Sequence, residues 1–445
     1  MNKNIKLAVA GAVLGMASAA NAGIVIPAGE WTLDVGGNVN AYSIYANSSG
    51  SATVIGGLNS AADATAGNAG GGAPGSATQQ TFNNGLLPNF LSVSGSTRQN
   101  DLDVAFTISL QPGTGTTAAL QNVNSDVGGL NNRQAFLTFG DKSWGSVKMG
   151  KDLGIFASDA ILSDATLLGV GGTTGAAGNT TLGRIGSGYI YADWKPQFAY
   201  TTPNFSGFQA TVGVTQAFAS TSALSTTSYS AITNVGMVSG TPLVSSTTGS
   251  HMAYEGKASY SFAANDVTGK IWVSGIAQRV GNLGSTWTAN GDSVATAGDV
   301  GVKLAAAGFE AVGYYYAGQG IGTTGQFLQG YGAVAANTVK SRDSDGGYVQ
   351  LAYTLPIKTK IVASWGVSNL DLADGELNTS TLTNTNDRIN SGNLVKSNEQ
   401  WNAMLIHPLT KHLNLVAEYS HLTAENQRGL ENKTNAGSLG AILFF

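Results

Sequence analysis

The 445-residue chain carries 22 basic and 26 acidic side chains, 61 glycines, no cysteine and only 11 % charged residues, against ~25 % in an ordinary soluble domain. A formal charge of -4 excludes the basic surface that nucleic-acid binding normally requires, and the missing cysteines exclude a disulfide framework. Length alone would allow two or three soluble domains, but scarce charge and abundant glycine argue against that reading.

The chain opens with Met1-Asn2-Lys3-Asn4-Ile5-Lys6, a mostly apolar stretch from Leu7 to Ala20, and the small-residue site Ala20-Asn21-Ala22. This is the layout of a cleaved secretory signal peptide over residues 1–22, with the mature domain over 23–445. The apolar run falls short of the roughly 20 residues that a membrane helix needs. Removing Lys3 and Lys6 takes the 22 basic residues to 20 and the charge from -4 to -6. No later run approaches a membrane helix, so any membrane crossing must use strands.

From Trp31 onward the pattern has period two. The first strand sets Trp31, Leu33, Val35 and Val39 against Thr32, Asp34, Asn38 and Asn40. Later ones set Phe208, Ala210, Val212 and Val214 against Gln209, Thr211 and Thr215, then Met252, Tyr254, Ala258, Tyr260 and Phe262 against His251, Glu255, Lys257, Ser259 and Ser261. Ile361, Ala363, Trp365 and Val367 against Lys360, Ser364 and Ser368 repeat the design. Each such strand has one apolar and one polar face.

Short turns are predicted at 100–103, 140–145, 203–207, 263–266, 305–308, 356–359 and 408–412. They alternate with long polar connections at 47–91, 111–130, 152–187, 220–250, 281–296, 318–343 and 371–396, and a shorter one near 428–432. Threading strands through this punctuation predicts an all-β fold: a transmembrane antiparallel up-and-down barrel of about 16 strands, with both ends on the short-turn side. An interior that wide is not filled by wall side chains and holds a channel, so the polar row with Asp34, Glu255, Lys257 and Lys303 is expected to line water. Trp31, Tyr189, Tyr191, Trp194, Trp401 and Tyr419 would then suit interfacial girdles.

Two segments carry a family likeness. The last strand places Gly437, Leu439, Ala441, Leu443 and Phe445 on one face and ends on an aromatic residue. Arg133-Gln134-Ala135-Phe136-Leu137-Thr138-Phe139-Gly140, a turn, and Gly145-Ser146-Val147-Lys148-Met149-Gly150-Lys151 form an arginine-led hairpin with a basic end, and Leu182-Gly183-Arg184 begins a return. The chain thereby resembles the Gram-negative general porins, trimeric outer-membrane barrels of sixteen strands. It departs from them in a long Gly/Ala/Ser first loop and lacks the acidic proline motif of some third loops.

The resemblance implies passive diffusion of ions and small hydrophilic solutes, location in the outer membrane among lipid and lipopolysaccharide, a homotrimer, and no enzyme activity. It implies that Leu439, Ala441, Leu443 and Phe445 form the signal read by outer-membrane assembly machinery. It also implies that residues 152–187 are a third loop folded inward as a constriction. Arg133, Lys148 and Lys151 would be its wall cations, Asp152, Asp159 and Asp164 its loop acids, and Arg184 its closing residue. Such facing charges set a transverse field that biases which ions enter. The competing reading leaves Arg133 and Lys148 as solvated lumen residues and the aspartates as loop caps.

Other chemistry finds little support. His251, His407, His412 and His421 are not spaced as a ligand cluster, so neither a metal nor a cofactor is expected. Asp343-Ser344-Asp345-Gly346 lacks the acidic terminus of a calcium loop, and Gly169-Val170-Gly171-Gly172-Thr173 lacks the Lys-Ser or Lys-Thr pair of a phosphate loop. The alternatives are a substrate-specific uptake porin on the same scaffold and, from another class, an S-layer-like or adhesin surface protein, which would not require the alternating connections or the terminal strand. A gated energy-coupled transporter would need a plug domain, for which the early strand at Trp31 leaves no room.

Overall fold

Alternating apolar and polar residues can satisfy backbone and lipid together only if the strands close on themselves. The computed structural model, described here for residues 23–52, 54–59, 76–114, 130–172, 180–218, 221–222, 244–247, 251–284, 293–335, 338–376 and 391–445, shows such a closure. The expected signal peptide, residues 1–22, lies outside the described residues.

Leaving aside four short pieces of the twenty-stranded sheet, sixteen antiparallel strands make the wall. They are β1 (Trp31–Ser49), β2 (Phe90–Gln99), β3 (Leu102–Gln111), β4 (Asn131–Asp141), β5 (Gly145–Leu153), β6 (Trp194–Thr201), β7 (Phe208–Gln216) and β8 (Met252–Ala264). Next come β9 (Val267–Gly284), β10 (Ser293–Ala306), β11 (Phe309–Gln319), β12 (Asp343–Thr354), β13 (Lys360–Leu370), β14 (Val395–Pro408), β15 (Leu413–Asn426) and β16 (Glu431–Phe444). Each pairs with the next, and β16 returns to β1 from Asn38↔Phe444 to Ser49↔Lys433. The terminal Phe445 exchanges backbone bonds with Gly37, at 2.7 and 3.0 Å. All seven predicted short turns fall between neighbouring wall strands. Asn100 and Asp101 both adopt positive φ, the two-residue hairpin geometry that small polar residues tolerate.

Two strand pieces depart from the sequence expectation. Ile24–Ala28 precedes Trp31 and pairs with the lower part of β1, where β16 does not reach. Ser76–Asn83, inside the connection expected to be wholly irregular, pairs with the upper part of β1, while β2 pairs with its lower part. One long first strand thus serves two partners on each edge.

The apolar face of the wall points out. Val39, Leu91, Ile108, Leu137, Val212, Val300, Val349, Leu405 and Leu439 are exposed there, as a lipid-facing band requires. Trp401 and Tyr419 share that outer face, with rings 5.3 Å apart. Tyr189 does not: it is fully buried inside the barrel, so its expected place in a girdle is corrected. The interior also differs from a purely polar, water-lined space. Phe156, Ile161, Ile185, Tyr189 and Ile190 from the connection after β5 pack with wall residues Trp272, Tyr314, Tyr316 and Tyr348. The width argument counted wall side chains alone, and here a segment of chain supplies the missing volume.

Candidate functional site

The connection between β5 and β6 starts from a charged strand end. Lys148 and Asp152 lie on the same face of β5 and form an ion pair, and Asp152 also accepts from Gln134 Nε2 at 2.9 Å. The Lys148 ammonium sits 4.9 Å from the Phe136 ring. Lys151 takes the other face, with exposed Met149, and its ammonium donates to the Asn132 carbonyl at 2.8 Å. Arg133 lies with its guanidinium 5.8 Å from the Trp194 ring. Lys148 and Asp152 are therefore brought together, whereas Arg133 and Lys151 sit apart from them.

Glu255, on the inner face of β8, holds the root of the segment. Its carboxylate accepts from the backbone N–H groups of Ile155 and Phe156, both at 2.8 Å, from Thr215 Oγ1 at 2.8 Å and from Lys195 Nζ at 2.5 Å. Neither Lys195 nor Glu255 exposes any side-chain surface. Charges so buried persist only when compensated: the Glu255 carboxylate takes four hydrogen bonds, and the Lys195 ammonium has that carboxylate and the Phe218 ring at 4.8 Å.

Beyond the root, a short helix α1 (Ser158–Ser163) carries Asp159 in its first turn. Asp159 meets two wall lysines, Lys257 Nζ at 3.2 Å and Lys270. Burial opposes the Asp159 charge, but the two ammoniums overcome it and hold the carboxyl below its ordinary range. Lys257 also donates to Ser158 Oγ at 3.0 Å. Both lysines remain partly open, with 25 % and 37 % of their side chains exposed. Further along the inner wall, Glu310 joins Lys303 at 3.7 Å and Lys360 at 2.7 Å.

The far part of the segment is fastened to β12–β15. Tyr348 donates to the Ala160 carbonyl at 2.8 Å, and Gln350 Oε1 accepts from Ala165 N–H at 2.7 Å. Arg184 reaches Asn402 Oδ1 at 2.6 Å, the Gln400 carbonyl at 3.1 Å and Ser364 Oγ, with Asp164 at 3.7 Å. Asp164 in turn accepts from the Tyr189 hydroxyl at 2.9 Å. Arg184 and Asp164 have no exposed side-chain surface, and their bonds tie the segment to the wall. Glu418 on β15 accepts from Val170 N–H at 2.6 Å and Gly171 N–H at 3.2 Å. Gly171 sits at φ 79 with Gly183 so close that a Cβ would lie 2.1 Å from its carbonyl oxygen. The glycine run, which lacks the basic pair of a phosphate loop, thus receives a wall carboxylate, with Thr173 outside the described residues.

Lys195, Lys270, Glu310, Lys360 and Glu418 were missed as site residues. Strand parity could have assigned Lys270, Glu310, Lys360 and Glu418 to the inner face, but their partners lie up to 248 positions away along the chain. No group of three or more His, Cys, Asp or Glu side chains among the described residues is arranged to hold a metal ion. Asp343-Ser344-Asp345-Gly346 forms the start of β12.

The sequence pattern of Gram-negative porins matches residues 7–427. No curated protein matches the sequence. Among solved structures, the outer membrane channel DcaP of Acinetobacter baumannii is similar at TM-score 0.61 and 16 % identity, over 94 % of this chain and 99 % of that one. An anion-selective porin from Comamonas acidovorans is similar at TM-score 0.53 and 11 % identity, over 94 % and 100 %.

Proposed function

Since the chain belongs to the Gram-negative porin family, and is an outer-membrane channel for passive diffusion of solutes, we propose that residues 154–172 and 180–193 form its constriction and that Lys148, Asp152, Asp159, Lys257 and Lys270 set its field. The observation carrying this reading is the Asp159 triad. An acid on the inward segment faces two partly open ammoniums on the wall, so the fixed charge lies where solute can feel it. Arg184 and Asp164 are assigned to holding the segment in place, and Arg133 and Lys151 to the rim.

Planar-bilayer reversal potentials under a salt gradient test the assignment. Asp159→Asn is expected to raise the anion-to-cation permeability ratio, while Arg133→Ala with Lys151→Ala leaves it nearly unchanged. A ratio that ignores Asp159→Asn and follows the rim pair would overturn the reading.

The exposed apolar band supports contact with outer-membrane lipid and lipopolysaccharide. The β1–β16 seam, with Leu439, Ala441 and Leu443 on one face of β16 and Phe445 at Gly37, supports delivery by outer-membrane assembly machinery. Family membership supports a homotrimer, and the lysine-bearing, apolar N-terminus supports cleavage after Ala22, which intact mass of the exported protein measures.

A further inference from the structure

The inner wall of β8–β13 carries a row of cations whose spacing is uneven. Lys257 and Lys270 share Asp159, and Lys303 and Lys360 share Glu310. Each acid is divided between two ammoniums, so within these two clusters four positive charges face two negative ones. The two inner members, Lys270 and Lys303, are direct cross-strand partners on β9 and β10. Their Cβ atoms in such a pair stand about 4.5–5.5 Å apart, and like charges in that position are ordinarily destabilising. Both side chains are 37 % exposed and flexible enough to converge. Asp299, two inward positions up β10, is buried and accepts from the Tyr314 hydroxyl at 3.1 Å, toward the aromatic core.

We infer that Lys270 and Lys303 form a binding site for a small dianionic oxyanion, seated between the two ammoniums and retained during passage. The site rests on the constricted-channel reading above and adds a solute class to it. A dianion between the inner lysines balances the two unpaired charges of the row, which a monovalent ion does only in part. Lys270 shares Asp159 with Lys257, and Lys303, at 3.7 Å, shares Glu310 with Lys360, so neither of the two facing ammoniums has an acid to itself. Charge-assisted contacts of this kind give retention without closing the path to exit.

The test uses the full-length protein in planar bilayers carrying a chloride current, with sulfate, inorganic phosphate and malonate as added probes. Saturable block by the probes is expected in the natural protein. Lys270→Gln with Lys303→Gln is expected to raise the half-blocking concentration at least about tenfold. Block by sulfate and phosphate but not malonate would assign tetrahedral oxyanions, and block by all three would assign dianions in general. Heat-modifiable migration verifies that the variant barrel is folded. Unaltered block in the folded variant overturns the site, as does a current that never saturates in the natural protein. If the variant shifts the chloride reversal potential yet keeps its block, the site falls while the constriction reading stands. If Asp159→Asn leaves the reversal potential fixed while the lysine variant loses block, the site stands and the constriction assignment falls.

Discussion

Removing the Lys195 cation tests what holds the segment inside the barrel. Lys195→Met keeps most of the stem volume but leaves Glu255 buried with three neutral donors, Thr215 Oγ1 and the N–H groups of Ile155 and Phe156. Stranding one member of a buried ion pair typically costs about 3–5 kcal/mol. That loss falls on the segment, since Lys195↔Asp152 pairing in the wall uses backbone bonds that the substitution keeps. At 1.4 kcal/mol per factor of ten, amide protection over residues 154–172 should fall by roughly 100- to 1,000-fold or more. Hydrogen exchange read by mass spectrometry on those peptides measures it, alongside peptides from β14–β16 as an internal control. Glu255→Leu added to Lys195→Met should recover part of the loss, because no lone charge is left buried. Equal exchange in the natural protein and Lys195→Met would refute the claim that this pair roots the segment. A uniform loss across β14–β16 would show instead that the pair supports the whole barrel.

Arg184→Lys keeps the charge but not the planar fork that spans Ser364, Asn402 and Gln400, so single-channel current noise and proteolysis within residues 180–190 should both increase while heat-modifiable migration persists. Gly37→Ala places a Cβ 1.9 Å from the Phe90 carbonyl oxygen and 3.1 Å from the Phe445 ring; it should destabilise closure by about 1–3 kcal/mol and lower the temperature at which the folded gel band disappears. Asp159 has a lowered pKa in the folded protein, so its grip on Lys257 and Lys270 is complete above its ordinary value of 3.8 and lost as pH falls through the lower folded value. The permeability difference between the natural channel and Asp159→Asn should accordingly be constant from about pH 7 to pH 5 and vanish in more acidic solution; a difference that fades above pH 5 would contradict this.

Strand order and facing were legible because lipid on one side imposes period two and tight turns need particular residues. Tyr254 and Tyr260 against Glu255 and Lys257 already told outer from inner wall once the barrel was wide enough to hold water. Ile24–Ala28 was hidden by Pro27, tolerated because among the described residues this strand pairs on one edge, with β1. Ser76–Asn83 was masked by the Gly/Ala/Ser composition around it. The site was less legible. Lys148 with Asp152 is a local pair, four positions apart, and could be read from spacing. Asp159 was chosen as a loop acid, but its lysines lie 98 and 111 positions away, beyond any local pattern. Tyr189 looked like a girdle residue because an aromatic next to a strand end has the same signature whether it faces lipid or is drawn inside by Asp164. Asp164 could be read as a loop acid or a loop cap and Arg184 as the residue closing the loop; charge is visible in sequence, whereas the burial of both is not.

The divided edge of β1 leaves the wall with two unequal fasteners. The lower one, Ile24–Ala28 on Trp31–Val35, joins neighbours through a tight turn, while the upper one joins residues as far apart as Ser48 and Thr434, 386 positions along the chain. The entropy of bringing distant parts together therefore falls almost entirely on the upper fastener. A barrel caught before that step already has part of its first strand shielded as a ribbon, and on β1 the stretch from Asn38 upward still offers a free row of donors and acceptors, matched by the equally open edge of β16. That stretch is where a wrong strand, from another molecule, would add itself.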